Sequence, residues 1–186
     1  MTATIGIDNG VSGGLAWLNG LLDTDPRSVI PMPIRQVGKS SRPDVKVIKA
    51  WLNENIRTYG RPGLVVIEKS QTMRETPGKG KGGEKKQQGS VQAHTQGLNA
   101  GVLLGIFEFL DLPIEEPPPQ SWKAAVLKGF GEKNKEAMIA VCRQRFPSLS
   151  LLTGPKSKKP HDGMADAMGL ALFAQFRIGN VLTLTD

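Results

Sequence analysis

Four carboxylates stand where a folded chain rarely leaves them unpartnered. Asp8 closes the run Thr4-Ile5-Gly6-Ile7-Asp8, where apolar residues alternate with small ones as on a buried strand, and an Asn9-Gly10 turn follows. Glu68 closes a second apolar run, Gly63-Leu64-Val65-Val66-Ile67. Asp162 and Asp166 are four apart at the head of a segment that is apolar from Ala167 to Ala174, a spacing that sets both on one helical face about a turn apart. An ionised carboxylate at a buried strand end needs a partner or a cation. Two like charges in a dry place are driven to protonate unless a cation holds them. Oxygen donors of this kind suit Mg2+ or Mn2+. Two such ions can activate a water and stabilise the leaving oxygen of a phosphodiester.

Each acid also has a plainer reading. Asp8 can be the Asx residue of its turn. Glu68, followed by Lys69, can be a solvated strand end. Asp162 can cap its helix and Asp166 can complement the helix dipole. The set is more informative than its members, because two buried strands ending on acids and a buried helix starting on them is an unusual combination. His161 adjoins the pair, where it can ligate a metal, assist proton transfer or simply belong to the loop. His94 reads as structural or exposed, and Cys142 as core packing.

The elements that must position these acids follow a mixed pattern. Strands are expected at 13–18 and near 28–34, the latter at a sheet edge because Pro31 and Pro33 cannot donate to a ladder. A helix is expected over 44–57, capped by Asp44, with Val47, Ile48, Trp51, Leu52 and Ile56 on one face. After the strand at 63–68, residues 74–89 set Arg74, Lys79, Lys81, Lys85 and Lys86 among glycines with no apolar anchor, which reads as a mobile basic loop. Helical spacing resumes over 91–110 through Leu98, Val102, Leu103, Ile106 and Leu110. A short strand is expected at 112–115, helices at 120–127 and 133–146, a loop at 149–160 and a last helix from 162 to about 176. That last helix is apolar on every side and so must be buried. Strands early and helix alternation later give an α/β class.

The chain has 186 residues, which suits one domain over 1–186. Lys and Arg number 24 against 17 Asp and Glu, a surplus of +7 that fits phosphate backbones as partners. A single cysteine excludes an internal disulfide framework and fits a reducing compartment. No basic segment followed by an apolar stretch opens the sequence, so no signal peptide is expected. The apolar runs at 101–107 and 167–174 are too short to cross a bilayer. A cytoplasmic protein with no membrane partner is the expectation.

Ile5-Gly6-Ile7-Asp8, Val65-Val66-Ile67-Glu68 and Asp162-Gly163-Met164-Ala165-Asp166-Ala167 together resemble the RuvC-type Holliday-junction resolvases, particularly bacteriophage-encoded members. Gln96-Gly97, then Pro119-Gln120-Ser121-Trp122-Lys123, then Gly131-Glu132-Lys133-Asn134-Lys135-Glu136 extend the resemblance over nearly the whole chain. It implies an RNase H-like fold, with a central mixed five-stranded sheet flanked by helices. It also implies a homodimer that binds four-way DNA junctions and makes paired symmetric nicks, with two divalent ions per active site. Asp8, Glu68 and Asp166 match the family's acids. The fourth often lies three residues before the last, where this chain has Gly163; Asp162, four before, is the candidate here. Lys123 and Lys135 match lysines placed near the scissile phosphate, and residues 74–89 fall where the family probes the junction centre.

Other readings of the same residues stay open. The same fold and ions can serve a broader nuclease for flaps, forks or RNA–DNA hybrids. Gly6-Ile7-Asp8-Asn9-Gly10 also resembles the phosphate-binding turn of actin-like ATPases, although this chain is short for two lobes. A DNA-binding module without catalysis would need only the charge.

Overall fold

The computed structural model describes residues 2–19, 29–70, 90–131 and 134–179, with the helix at 90–93 taken as backbone only. The strand expected around Asp8 is β1, Thr4–Asp8, and it lies at the centre of a sheet. The chain reverses through the Asn9–Gly13 turn into β2, Gly14–Leu18, which pairs antiparallel with Asp8 opposite Gly14. β3, Val29–Pro31, pairs antiparallel with β2 and forms the edge, where a proline is tolerated. On the other side of β1 lies β6, Leu64–Ile67, paired parallel, and beyond it β7, Ile114–Glu115, also parallel. The sheet is five-stranded and mixed, in the order β3-β2-β1-β6-β7.

Alternation along the strands sorts side chains onto the two faces. Ile5, Ile7, Leu15, Trp17, Val65 and Ile67 point to one cluster, completed by helices α1, Val45–Tyr59, and α2, Ser90–Phe109. Ala16, Leu18, Leu64 and Val66 point to the other, completed by α3, Pro119–Val126, α4, Lys135–Arg145, and α5, Asp162–Arg177. The all-round apolar character of α5 has its reason here. The helix packs on β1 and β2 with one side and meets α3 and α4 with others. Its backbone comes so close to β1 that a Cβ on Gly6 would lie 2.1 Å from the Ala167 carbonyl oxygen and 2.2 Å from the Ala171 nitrogen. Thr4 Oγ1 donates to the Ala171 carbonyl at 2.9 Å, and buried Gln175 donates to the Thr2 carbonyl and Thr4 Oγ1, each at 3.0 Å.

Several expectations are revised. The third strand stops at Pro31, and the next residues build a separate hairpin, β4, Ile34–Val37, with β5, Ser40–Pro43. That hairpin is polar and half exposed, so it carries no hydrophobic alternation to read; Gly38, at φ 61°, makes its two-residue turn. Asp44 does cap α1, accepting from the Lys46 and Val47 amides at 3.0 and 3.3 Å. Val47, however, is 48 % exposed, and the buried face is Ile48, Trp51, Leu52 and Asn55. On α2 the fully buried apolar positions are Leu103 and Phe107, while Leu98, Val102 and Ile106, and Leu110 just past its end, are half-buried. The basic stretch carrying Arg74, Lys79, Lys81, Lys85 and Lys86 lies outside the described residues. Among the described residues no helix is long and apolar enough to cross a membrane.

Candidate active site

Parallel pairing of β1 with β6 brings their carboxyl ends to the same edge of the sheet, so Asp8 and Glu68 arrive side by side. The Glu68 amide donates to the Ile7 carbonyl at 3.0 Å, extending the ladder by one bond. Asn9 locks the arrangement: its Nδ2 donates to the Glu68 carbonyl at 2.8 Å and to Ser70 Oγ at 3.0 Å. The Gly10 amide donates to Asp8 Oδ1 at 3.1 Å. The Asx turn read from the sequence is therefore real, and it orients the carboxylate rather than replacing a role for it.

Close packing of α5 on β1 and β2 delivers the second pair of acids. A Cβ on Gly163 would lie 2.2 Å from the Ser12 carbonyl oxygen, so only glycine lets the head of α5 approach the turn beyond Asp8. His161 caps the helix, its Nδ1 accepting from the Met164 amide at 3.2 Å, which is the role sequence reasoning weighed for Asp162. Asp166 accepts from Lys123 Nζ at 2.9 Å, with the side chains 24 % and 17 % exposed. Asp162 accepts from Lys135 Nζ farther out, where the lysine is 68 % and the carboxylate 42 % exposed.

The electrostatics tie the acids to one another. Burial pushes the Asp8 carboxyl above its ordinary range. The Gly10 amide pulls it back, Asp166 pushes it up again, Lys123 opposes and Asp162 adds a further upward push. Burial also raises Glu68, against a lowering hydrogen bond from Trp122, with Asp8 and Asp166 raising it further. Lys135 holds Asp162 below the usual carboxylate range, and the lysine is raised in return. Asp8 and Glu68 open onto a cleft of about 380 Å3 whose other walls include Asn9, Ser70, Gln96 and Asn99.

Chemically this donor set fits a hard divalent cation. It is built from carboxylate oxygens, and the charges on Asp8 and Glu68 carry a burial and repulsion cost that a cation would relieve. Yet among the described residues no three His, Cys, Asp or Glu side chains form a ready-made metal cage. Three of the acids are each engaged by a different donor instead: Glu68 by Trp122, Asp166 by Lys123 and Asp162 by Lys135. Asp8, Glu68, Asp166 and Lys123 are near enough to influence one another's charge, with Asp162 and Lys135 at a more exposed margin, but they do not close into one cluster. His94 is exposed on α2, and Cys142 is buried in the core with its thiol pushed up to about 12 by burial. Sequence reasoning missed Asn9 and Trp122 as site residues. Asn9 is disguised as a turn residue and Trp122 as the apolar anchor of a short helix; the only signal was their adjacency to Asp8 and Lys123.

This architecture is similar to a Thermus thermophilus RuvC structure, with a TM-score of 0.50 at 20 % identity over 96 % of this chain and 98 % of that one. It is similar also to T. thermophilus RuvC in complex with Holliday junction substrate, with a TM-score of 0.54 at 17 % identity over 97 % and 98 %. The fold is that of RuvC. It is an RNase H-like α/β fold, as the motif resemblance implied. No family model matches the sequence, and no curated protein does. On the RuvC fold, the carboxyl ends of β1 and β6 and the head of α5 are the positions that bear Asp8, Glu68, Asp162 and Asp166 in this chain.

Proposed function

We propose that this protein is a divalent-metal-dependent endonuclease that resolves four-way DNA junctions, a RuvC-type resolvase of the bacteriophage-like kind acting in the cytoplasm. The observation that carries the reading is the placement of Asp8 and Glu68 at the parallel ends of β1 and β6, with the head of α5 and its Asp162 and Asp166 packed close to the same turn, on a RuvC fold. In this reading Asp8, Glu68, Asp162 and Asp166 hold two Mg2+ or Mn2+ ions. When bound, those ions supply water activation and stabilisation of the leaving oxygen. Gly10 and Asn9 orient Asp8 and the Glu68 backbone. Lys123 and Lys135 hold positive charge beside the acids, where it can face a phosphate gaining charge in the transition state. Arg74, Lys79, Lys81, Lys85 and Lys86 add cationic charge for the DNA backbone. A homodimer would present two equivalent sites to a two-fold substrate and nick strands of like polarity.

The test is cleavage of a labelled four-way junction with Mg2+, with EDTA, and with Asp8→Asn. Cleavage should need Mg2+ and vanish in the variant while junction binding persists; unchanged cleavage by the variant would reject the assignment. A mobile junction, a replication fork and an RNA–DNA hybrid should be compared in the same assay. Equal rates on all of them would replace a dedicated resolvase with a broader nuclease of the same fold.

A further inference from the structure

We propose that Trp122 is the positioning residue for Glu68, holding one carboxylate oxygen so that the other meets a divalent cation; this rests on the metal-dependent reading above. The indole Nε1–H donates to Glu68 Oε2 at 2.9 Å. The ring itself is closely packed. Trp122 is fully buried, and a Cβ added at Gly169 would lie 2.9 Å from its Cζ3, so the ring is seated against α5. Glu68, by contrast, is a half-buried acid on a long side chain, whose rotamer freedom is costly to suppress. A rigid donor aimed at a flexible ligand is the arrangement by which an outer residue fixes a metal-binding oxygen.

Burial alone does not account for the contact. Trp17 and Trp51 are buried in the opposite cluster with their Nε1 atoms unpartnered, so this core tolerates an indole without an acceptor. The neighbouring residue on α3 repeats the pattern, since Lys123 reaches Asp166 at 2.9 Å while its Nζ lies 4.9 Å from the Trp122 ring centroid. The start of α3 is also fixed to the strand end. The amide of Lys69, next to Glu68, donates to the Pro117 carbonyl at 3.1 Å. One short helix thus sets the orientation of acids arriving from β6 and from α5.

Trp122→Phe removes the donor together with the pyrrole half of the buried indole, so it also leaves a small cavity beside α5. Calorimetric titration with Mn2+ should show affinity weakened about tenfold or more. The kcat for junction cleavage should fall with KM nearly unchanged, measured below a thermal midpoint that the cavity lowers. A second measurement needs no variant. The chain has three tryptophans, and their indole N–H resonances can be followed as Mg2+ is added to the wild-type protein. The Trp122 signal should move on saturation while those of Trp17 and Trp51 stay in place. Mn2+ binding by the Phe variant as tight as wild type, or a Trp122 signal unmoved at Mg2+ saturation, would overturn this inference alone. A wild-type protein that binds no Mn2+ would overturn the proposed function and this inference with it.

Discussion

Lys123 Nζ sits 2.9 Å from Asp166 Oδ2 in a pair that is mostly shielded, whereas the Lys135–Asp162 pair at the same site faces solvent. Shielding decides what each is worth. A screened surface pair contributes about 0–1 kcal/mol, while removing one partner of an enclosed pair leaves a charge without compensation. Lys123→Met is therefore expected to destabilise the metal-free protein by about 1–3 kcal/mol, and added Mg2+ should restore part of the loss. Lys135→Met should cost about 0.5 kcal/mol or less. Urea unfolding with and without Mg2+ measures both, and equal losses would contradict the difference in enclosure.

Asp8→Asn should stabilise the protein in the absence of metal. The folded-state pKa of Asp8 lies above its ordinary 3.8, so the unfolded chain releases this proton first as pH rises. Stability from this group is highest at low pH and is lost from about 3.8 upward, and Glu68 behaves the same way from 4.5. The variant should flatten the fall on the alkaline side of that window. Mg2+ affinity should show the opposite trend and weaken as pH drops, because the ligands must be ionised. Thermal melts in EDTA and Mg2+ titrations over a pH series would check each sign.

Gly6→Ala tests whether the β1–α5 contact holds the site together. The added methyl would meet the α5 backbone at about two-thirds of a normal contact distance, at 2.1 and 2.2 Å, and backbone cannot rotate away as a side chain can. Overpacking of this kind costs about 1–3 kcal/mol or more. Because the same contact brings Asp166 to Asp8, cleavage should fall further than the folded fraction does. Activity that tracks folded fraction alone would show the contact to be structural only.

Cys142 should be inert in the native protein. Its thiol is buried and pushed up to about 12, so almost no thiolate exists at neutral pH. Iodoacetamide should leave it unmodified until urea unfolds the chain, as mass spectrometry would show.

The acids were legible in the sequence because each borders a strongly apolar run: Ile5 and Ile7 before Asp8, Leu64 to Ile67 before Glu68, and the apolar stretch after Asp166. The same runs made the central strands and α5 legible. What lacked such a run was lost. The β4–β5 hairpin buries little and so leaves no hydrophobic signature. Val47 sits one position off the buried face of α1, where β-branched residues look apolar whichever way they point. Trp122 and Asn9 act through hydrogen bonds to groups more than fifty residues away in the chain, and no local pattern encodes such bonds. Charge told of phosphate but placed nothing, since the lysines of 74–89 fall outside the described residues.

The hydrogen bond from Thr4 to Ala171 joins residues 167 positions apart. β1 therefore waits for α5 before Asp8 meets Asp162 and Asp166. A nascent chain halted short of Asp162 carries Asp8 and Glu68 but neither of the acids that answer them. If the site cuts as proposed, the cell is spared a loose nuclease during translation, because the blade is complete only once α5 has been made.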